Sequence, residues 1–179
     1  AVNYKAEVLE QYFGNGENWG VDIKYVKESK RLGTAGALGL LGEKENRPVI
    51  VMNGDILTKI NFRKLLEFHV KQNAVATMCV LEYDFEVPYG VVEIQEQEIR
   101  GIVEKPIHYF FVNGGIYILE PTALSYIPKN HYLDMPELFR KLIDKKKKTS
   151  VFPIREYWLD IGDKKEFERA YSDIGMFES

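Results

Sequence analysis

Val-Ile-Val-Met-Asn-Gly-Asp, residues 49–55, is a short apolar run that stops at Asn-Gly and leaves a carboxylate just beyond it. A run of that length, β-branched and bounded by Pro48 and Gly54, is what a buried strand of an α/β sheet requires. Gly54 permits a tight turn, and Asp55 then points beyond the strand end, where open α/β folds bind ligands. Tyr-Trp-Leu-Asp-Ile-Gly, residues 157–162, repeats the pattern around Asp160. Taken singly, each aspartate reads as well as a turn or cap residue, since Asn, Gly and Asp favour turns. Taken together, their shared placement predicts that Asp55 and Asp160 approach each other at the C-terminal edge of one sheet. Such a pair suits Mg²⁺, which takes one or two carboxylates plus substrate phosphate oxygens.

Outward from these stretches, helix and strand signals alternate. Val8, Leu9, Tyr12 and Phe13 follow helical spacing, and Val21, Ile23 and Tyr25 alternate with polar residues as a strand would. Residues 35–42 suit a helix packed closely on the sheet. Asn61 caps a helix bearing Phe62, Leu65, Leu66 and His69. Residues 75–81 form the next strand. Residues 90–94, 98–103 and 110–118 read as an antiparallel or mixed excursion over the sheet. Asp134 and Pro136 open a helix, in the cap and first positions, with Leu138, Phe139, Leu142 and Ile143 as its stripe. A short strand at 150–154 follows. Asp163 and Glu166 make a capping pattern before Phe167, Ala170, Tyr171 and Ile174. The sum is one α/β domain over residues 1–179, Rossmann-like, with a mixed, mostly parallel sheet, flanking helices and a small antiparallel excursion.

The 179 residues are long enough for a sizeable core, and 45% apolar with 28% charged is an ordinary globular balance. A net charge of −3 gives no basic field for nucleic acid. The Lys145–Lys148 run reads as a solvated helix end. A single cysteine, Cys79, lies among apolar residues and has no internal disulfide partner. No apolar run nears the roughly 18 residues of a membrane span, so a cytoplasmic setting is expected. His69, His108 and His131 share no metal-ligand spacing.

Four further stretches carry candidate chemistry. In Leu-Gly-Thr-Ala-Gly-Ala-Leu (32–38), Gly33, Thr34, Ala35 and Gly36 let a flat base approach the backbone; tight helix-on-sheet packing would need the same small residues. Glu104-Lys105-Pro106 ends a strand with a carboxylate for sugar hydroxyls and a lysine for a phosphate, or else with an exposed ion pair. Tyr89-Gly90 after Pro88, and Asn113-Gly114-Gly115 inside an apolar strand, are backbone-approach sites, where Asn113 reads hydroxyls or merely marks a bulge.

In order, LGTAGAL (32–38), VMNGDIL (51–57), PYGVVE (88–93), VEKP (103–106), VNGGIY (112–117), DMPELF (134–139) and YWLDIG (157–162) resemble the sugar-1-phosphate nucleotidylyltransferases, nearest to the mannose-1-phosphate guanylyltransferase-like branch. The resemblance spans almost the whole chain. It implies transfer of a nucleotidyl group from a nucleoside triphosphate, GTP or dTTP favoured, to a sugar 1-phosphate, giving a nucleotide sugar and pyrophosphate. By motif position, Asp55 and Asp160 would hold Mg²⁺. Residues Gly33 to Gly36 with Asn53 would line the nucleotide. Tyr89, Gly90, Glu104, Lys105 and Asn113 would hold the sugar phosphate, Lys105 with a catalytic share. No nucleic acid or membrane partner is implied, and a homo-oligomer is compatible. Gly114 stands where that family often has alanine. Family members begin with a Gly-rich strand–loop of the type GGxGTRLxPxT and a Pro-Lys pair, which grip the triphosphate. No such stretch occurs here, so the expectation is a chain lacking that N-terminal βαβ segment and inactive alone. The competing readings are a non-catalytic sugar-phosphate or nucleotide-sugar binding module and a glycosyltransferase with a related sheet. The second is disfavoured because Asp55 is followed by Ile56 and Leu57 rather than by the Asp-x-Asp such enzymes use.

Overall fold

The computed structural model describes residues 1–41, 46–173 and 175. In chain order the helices are α1 (Ala6–Phe13), α2 (Gly33–Gly36), α3 (Phe62–Gln72), α4 (Pro121–Leu124), α5 (Met135–Asp144) and α6 (Lys164–Asp173). The strands are β1 (Val49–Met52), β2 (Ile56–Thr58), β3 (Ala76–Glu86), β4 (Val91–Gln95), β5 (Glu98–Val103), β6 (Ile107–Leu119), β7 (Thr149–Pro153) and β8 (Trp158–Asp160). The main sheet has the order β1-β6-β3-β7; β2 pairs with β8, and β4 with β5. Within the main sheet β1, β3 and β7 run one way and β6 runs against them. The expected mixed α/β architecture is present.

Strand β6 departs from expectation. It was placed in the excursion, yet it runs through the middle of the main sheet between β1 and β3. The reason is burial on both faces: Ile116, Tyr117, Ile118 and Leu119 are all inaccessible to water. On one face Tyr117, Leu119 and Ala76 pack with Ala35, Leu133, Met135 and the α5 residues Leu138, Phe139 and Leu142. On the other, Ile116, Ile118 and Cys79 meet Leu65 of α3, Ile56, Ile60 and Ile154. Each such large side chain contributes roughly 1.5–3 kcal/mol of burial. Leu138→Ala, at the centre of the first layer, would cost about 2–5 kcal/mol. Helix α3 starts where Asn61 Oδ1 accepts the Lys64 N–H at 3.0 Å, and it ends at Asn73, whose φ is 48°. Its buried His69 is held by polar neighbours, with Nδ1 2.7 Å from Thr77 Oγ1 and Nε2 3.1 Å from Glu120 Oε1.

Other differences are local. Residues 21–25 form no strand; the nearest ladder is an isolated parallel bridge between Val2 and Lys27. Alternation marks a face, but a strand also needs a hydrogen-bonded neighbour. The apolar positions of α1 stay exposed, with Tyr12 and Phe13 gathered beside Trp19. Over 35–41 two short turns, α2 and a 3-10 segment at Ala37–Leu40, replace the expected single helix. Residue 42 and Ile174 of the predicted stripes lie outside the described residues. Pro136 falls at the second helical position, because α5 begins at Met135.

The outer half of β3 and β6 projects from the sheet. Strand β7 pairs with β3 only at Ala76–Val80, and β1 with β6 only at Ile116–Leu119. From Leu81↔Val112 to Glu86↔Ile107, β3 and β6 pair only with each other among the described residues. The β4–β5 hairpin continues from the end of this ribbon. A bulge separates ribbon from core: Met78 faces Tyr117 and Val80 faces Asn113, so Gly114, Gly115 and Ile116 stand opposite Cys79 alone.

Candidate active site

Asp55 lies three residues past β1, and Asp160 is the last residue of β8. They do meet, but not on the main sheet as the sequence suggested. Ile56 is buried and starts a new strand, so the pair is built on the β2–β8 ladder, in which Ile56 faces Asp160. The Ile161 N–H donates to the Asp55 carbonyl at 2.8 Å and locks the two turns together. Gly162 adjoins both carboxylates. A Cβ there would lie 3.0 Å from Asp160 Oδ1 and 3.8 Å from Asp55 Oδ2. Laid end to end, those distances keep the two oxygens within about 7 Å of each other, the reach of one cation with bonds near 2.1 Å, directly or through one bound water. The Gly162 N–H donates to Asp160 Oδ1 at 2.9 Å and orients it. Both carboxylates are exposed. No group of three acidic, histidine or cysteine side chains converges among the described residues, so a hard cation here would draw its remaining ligands from substrate oxygens and water. The cradle that a Cβ would fill and the all-oxygen donors fit Mg²⁺.

Asp55 also belongs to a cleft of about 600 Å³ lined by Glu28, Gly33, Thr34, Ile50, Asn53 and Gly54, among others. The cleft thus joins the Leu32–Leu38 loop to the end of β1. The four small residues of the loop divide by role. Gly33 and Thr34 line the cleft. Ala35 and Gly36 are buried, and their N–H groups both donate to the Leu133 carbonyl, at 2.9 and 3.0 Å. A Cβ on Gly36 would lie 2.5 Å from the His131 carbonyl. For these two positions the small side chain serves packing, and their amides are already engaged. Glu28, which the sequence did not single out, accepts the Leu32 N–H at 2.9 Å and lines the same cleft.

Asp134 is a second residue that its cap position disguised. Its Oδ1 accepts the Thr34 N–H at 3.0 Å and the Thr34 hydroxyl at 3.3 Å. Its Oδ2 accepts the Tyr132 hydroxyl at 2.6 Å. The Thr34 hydroxyl in turn accepts the Met135 N–H at 2.8 Å. The Tyr132 hydrogen bond, followed by that from the Thr34 amide, holds the Asp134 carboxyl below the usual carboxylate range. The same bond pushes the Tyr132 phenol upward.

The proposed sugar-phosphate residues fall into two groups. Gly90 adjoins Glu104, whose Oε2 would lie 2.8 Å from a Cβ at Gly90. Tyr89 and Lys105 flank them and are exposed, with Lys105 held at φ 45°. Asn113 stands at the bulge instead. Its Nδ2 donates to the Tyr117 hydroxyl at 2.7 Å and its Oδ1 accepts the Gly115 N–H at 3.1 Å. Much of its hydrogen-bonding capacity therefore shapes the bulge. Asn53 closes the link to the Asp pair, donating its N–H to the Gly115 carbonyl at 2.9 Å. The described contacts tie Asn113, Asn53 and Asp55 into one region and leave Gly90, Glu104 and Lys105 on the hairpin.

The chain is 35% identical over 180 residues to the mannose-1-phosphate guanyltransferase of Pichia angusta, covering 93% of this chain and 48% of that protein. The protein of the same name from Schizosaccharomyces pombe is 33% identical over 176 residues, with the same coverage of 93% and 48%. The chain spans about half the length of the curated relatives it matches. In fold it resembles HddC from Yersinia pseudotuberculosis, with a TM-score of 0.70 and 23% identity over 96% of this chain and 76% of that one. A second HddC structure, complexed with GMP-PN, gives a TM-score of 0.68 at 22% identity over 97% of this chain and 76% of that one. A family model described as nucleotidyl transferase matches residues 1–175. Since that match takes in both aspartate turns, the cleft loop and the hairpin alike, the chain belongs to the nucleotidyl transferase family.

Proposed function

We propose that this chain forms part of a sugar-phosphate nucleotidylyltransferase, joining a nucleoside triphosphate to a sugar 1-phosphate with Mg²⁺. The observation that carries the reading is the convergence of Asp55 and Asp160 over Gly162, at the end of the cleft that Gly33 and Thr34 line. In the proposed reaction a sugar phosphate oxygen attacks the α-phosphorus in line. The bond from that phosphorus to the bridging oxygen breaks, and pyrophosphate leaves with the electron pair. No covalent enzyme intermediate is needed, so the chain's work is positioning and charge. Gly33 and Thr34 receive the nucleotide. Glu28 adds a carboxylate acceptor to the cleft, which favours guanine, a base presenting N1–H and N2–H donors side by side. Glu104 accepts sugar hydroxyl protons, and Lys105 meets the sugar phosphate as a point charge. Asp55 and Asp160 would hold Mg²⁺, which supplies charge neutralisation on the phosphates. A cytoplasmic setting fits this reading, and no helix among the described residues is long and apolar enough to cross a membrane.

A second reading, a sugar-phosphate or nucleotide-sugar binding module without turnover, draws support from one observation: among the described residues, none lining the cleft is a lysine or arginine to grip a triphosphate. Pyrophosphate release separates the two. Each of four nucleoside triphosphates is tested with a panel of sugar 1-phosphates and Mg²⁺. These 179 residues alone are expected to turn over little while still binding sugar phosphate. Turnover near one per second, within the usual enzyme range, would show that other residues hold the triphosphate. Turnover unchanged by Asp55→Asn and Asp160→Asn would end the metal assignment.

A further inference from the structure

We infer that Asp134 is the positioning residue of the nucleotide site, latching the Leu32–Leu38 loop from behind so that Gly33 and Thr34 face the cleft in one geometry. The inference rests on the reading that this cleft receives the nucleotide. An aspartate at a helix N-cap ordinarily accepts N–H groups of its own helix. Asp134 caps α5 in a capping box with Glu137 and in addition gives Oδ1 to both donors of Thr34, a residue a hundred positions earlier. The exchange is reciprocal, for the Thr34 hydroxyl accepts the Met135 N–H at the start of α5. Gly33 is shaped to the same carboxylate. Its φ is +78°, and a Cβ there would lie 2.7 Å from both Asp134 Oδ1 and the Leu133 carbonyl.

The back of the loop is therefore fully engaged. Leu133 takes the Ala35 and Gly36 amides, Asp134 takes Thr34, and the Leu133 N–H returns to the Leu32 carbonyl at 2.9 Å. The front, at Gly33 and Thr34 together with Ala37 and Leu38, opens to the cleft. Tyr132 completes the latch by donating to the other carboxylate oxygen. An ionised carboxylate accepting three donors is a strong and directional anchor. Asp134 does not line the cleft, so its effect passes through the loop. What it supplies is pre-organisation: the loop is ordered before the ligand arrives, and that ordering need not be taken from binding.

The test measures equilibrium binding of GTP·Mg²⁺ and dTTP·Mg²⁺, and separately of mannose 1-phosphate, to the chain and to Asp134→Ala, Asp134→Asn and Thr34→Val. Asp134→Ala and Thr34→Val should weaken nucleotide binding by about tenfold. Mannose 1-phosphate should stay within about twofold of the unmodified chain, a factor small beside the tenfold step. Asp134→Asn keeps an acceptor oxygen for Thr34 and should recover most of the loss. Thr34→Val leaves the α5 cap residue in place and guards against a failure of Asp134→Ala to fold. Unchanged nucleotide binding by Thr34→Val and Asp134→Ala would overturn the latch while leaving the site reading intact. So would an equal loss for nucleotide and mannose 1-phosphate. Failure of the unmodified chain to bind either triphosphate would overturn the site reading, and the latch with it.

Discussion

A methyl group at Gly162 should separate metal binding from folding. Built on the existing backbone, it would lie 3.0 Å from Asp160 Oδ1 and 3.8 Å from Asp55 Oδ2. The backbone there is outside the left-handed region, and the residue is exposed, so Gly162→Ala can be accommodated. Its N–H still donates to Asp160. Loss of glycine's freedom in the unfolded chain stabilises by about 0.4–1 kcal/mol. The close contact offsets part of that, because the Asp160 carboxylate must yield by a few tenths of an ångström. The net change in stability should stay within about 0.5 kcal/mol, as for an ordinary surface site. For a metal the same displacement is large, since ligand distances are held to about ±0.2 Å. The methyl also crowds one oxygen of each carboxylate. Affinity should fall roughly 10–100-fold, the loss typical when the support of a metal ligand is disturbed. Titration with Mn²⁺, followed by electron paramagnetic resonance, reads it directly, with Asp55→Asn as the reference for a lost ligand. Wild-type Mn²⁺ affinity in Gly162→Ala would refute the bridging geometry, and so would an absence of Mn²⁺ binding by the unmodified chain.

Gly115→Ala should act in the opposite sense, on stability. The Cβ would collide with Ile56 Cδ1 and lie 3.0 Å from Asn53 Nδ2, at a φ of +68°. A left-handed alanine costs about 1–2 kcal/mol and overpacking about 1–3, so unfolding by urea should reveal a loss of roughly 2–5 kcal/mol. Glu104→Gln should leave stability nearly unchanged, within about 0.5 kcal/mol, and weaken binding of sugar 1-phosphate; a large drop in melting temperature with intact binding would make Glu104 structural. Cys79 is buried and burial pushes its thiol up to about 12, so it should resist thiol reagents at pH 8 until the chain unfolds. Asp134, with its folded value lowered, lends stability that is present above the ordinary carboxylate range and is lost as pH falls through that lowered value. Asp134→Asn should therefore lack part of the acid limb of the stability curve.

The sequence revealed what local chemistry encodes. An apolar run closed by Asn-Gly-Asp marked the turn at Asp55, and Asn61 marked the start of α3, because strand ends and caps depend on a few neighbouring residues. It missed what depends on distant pairing. The central place of β6 follows from ladders with β1 and β3, and no residue within Ile107–Leu119 states which strands those are. Alternation at Val21–Tyr25 suggested a strand where, among the described residues, no neighbouring strand pairs with it. Asp134 was legible as a helix cap, but its second partner, Thr34, is remote in sequence and was not. Asn113 offered an amide that reads as a ligand contact, yet Tyr117 and Gly115 engage it within the same strand.

Strand β6 also carries two stabilities along one backbone. Its inner residues, Ile116–Leu119, are locked between β1 and β3, whereas Ile107–Val112 have, among the described residues, β3 as their sole ladder, and they are exposed. Two strands alone are marginal, so amide exchange should quicken sharply on crossing Gly114–Gly115, from opening near the global free energy to opening at a fraction of it. Gly90 and Glu104 ride on the loosely held end, whereas Asp55 and Asp160 sit on the β2–β8 ladder, beside Asn53, which is tied to the bulge of β6 at Gly115. Fraying of the ribbon would shift the first pair against the second while the core stayed closed. Surface substitutions at Tyr83, Phe85 or Phe110 would thus change how often the ribbon is whole, and with it the capture of a sugar phosphate under the proposed function, with no contact to the ligand at all.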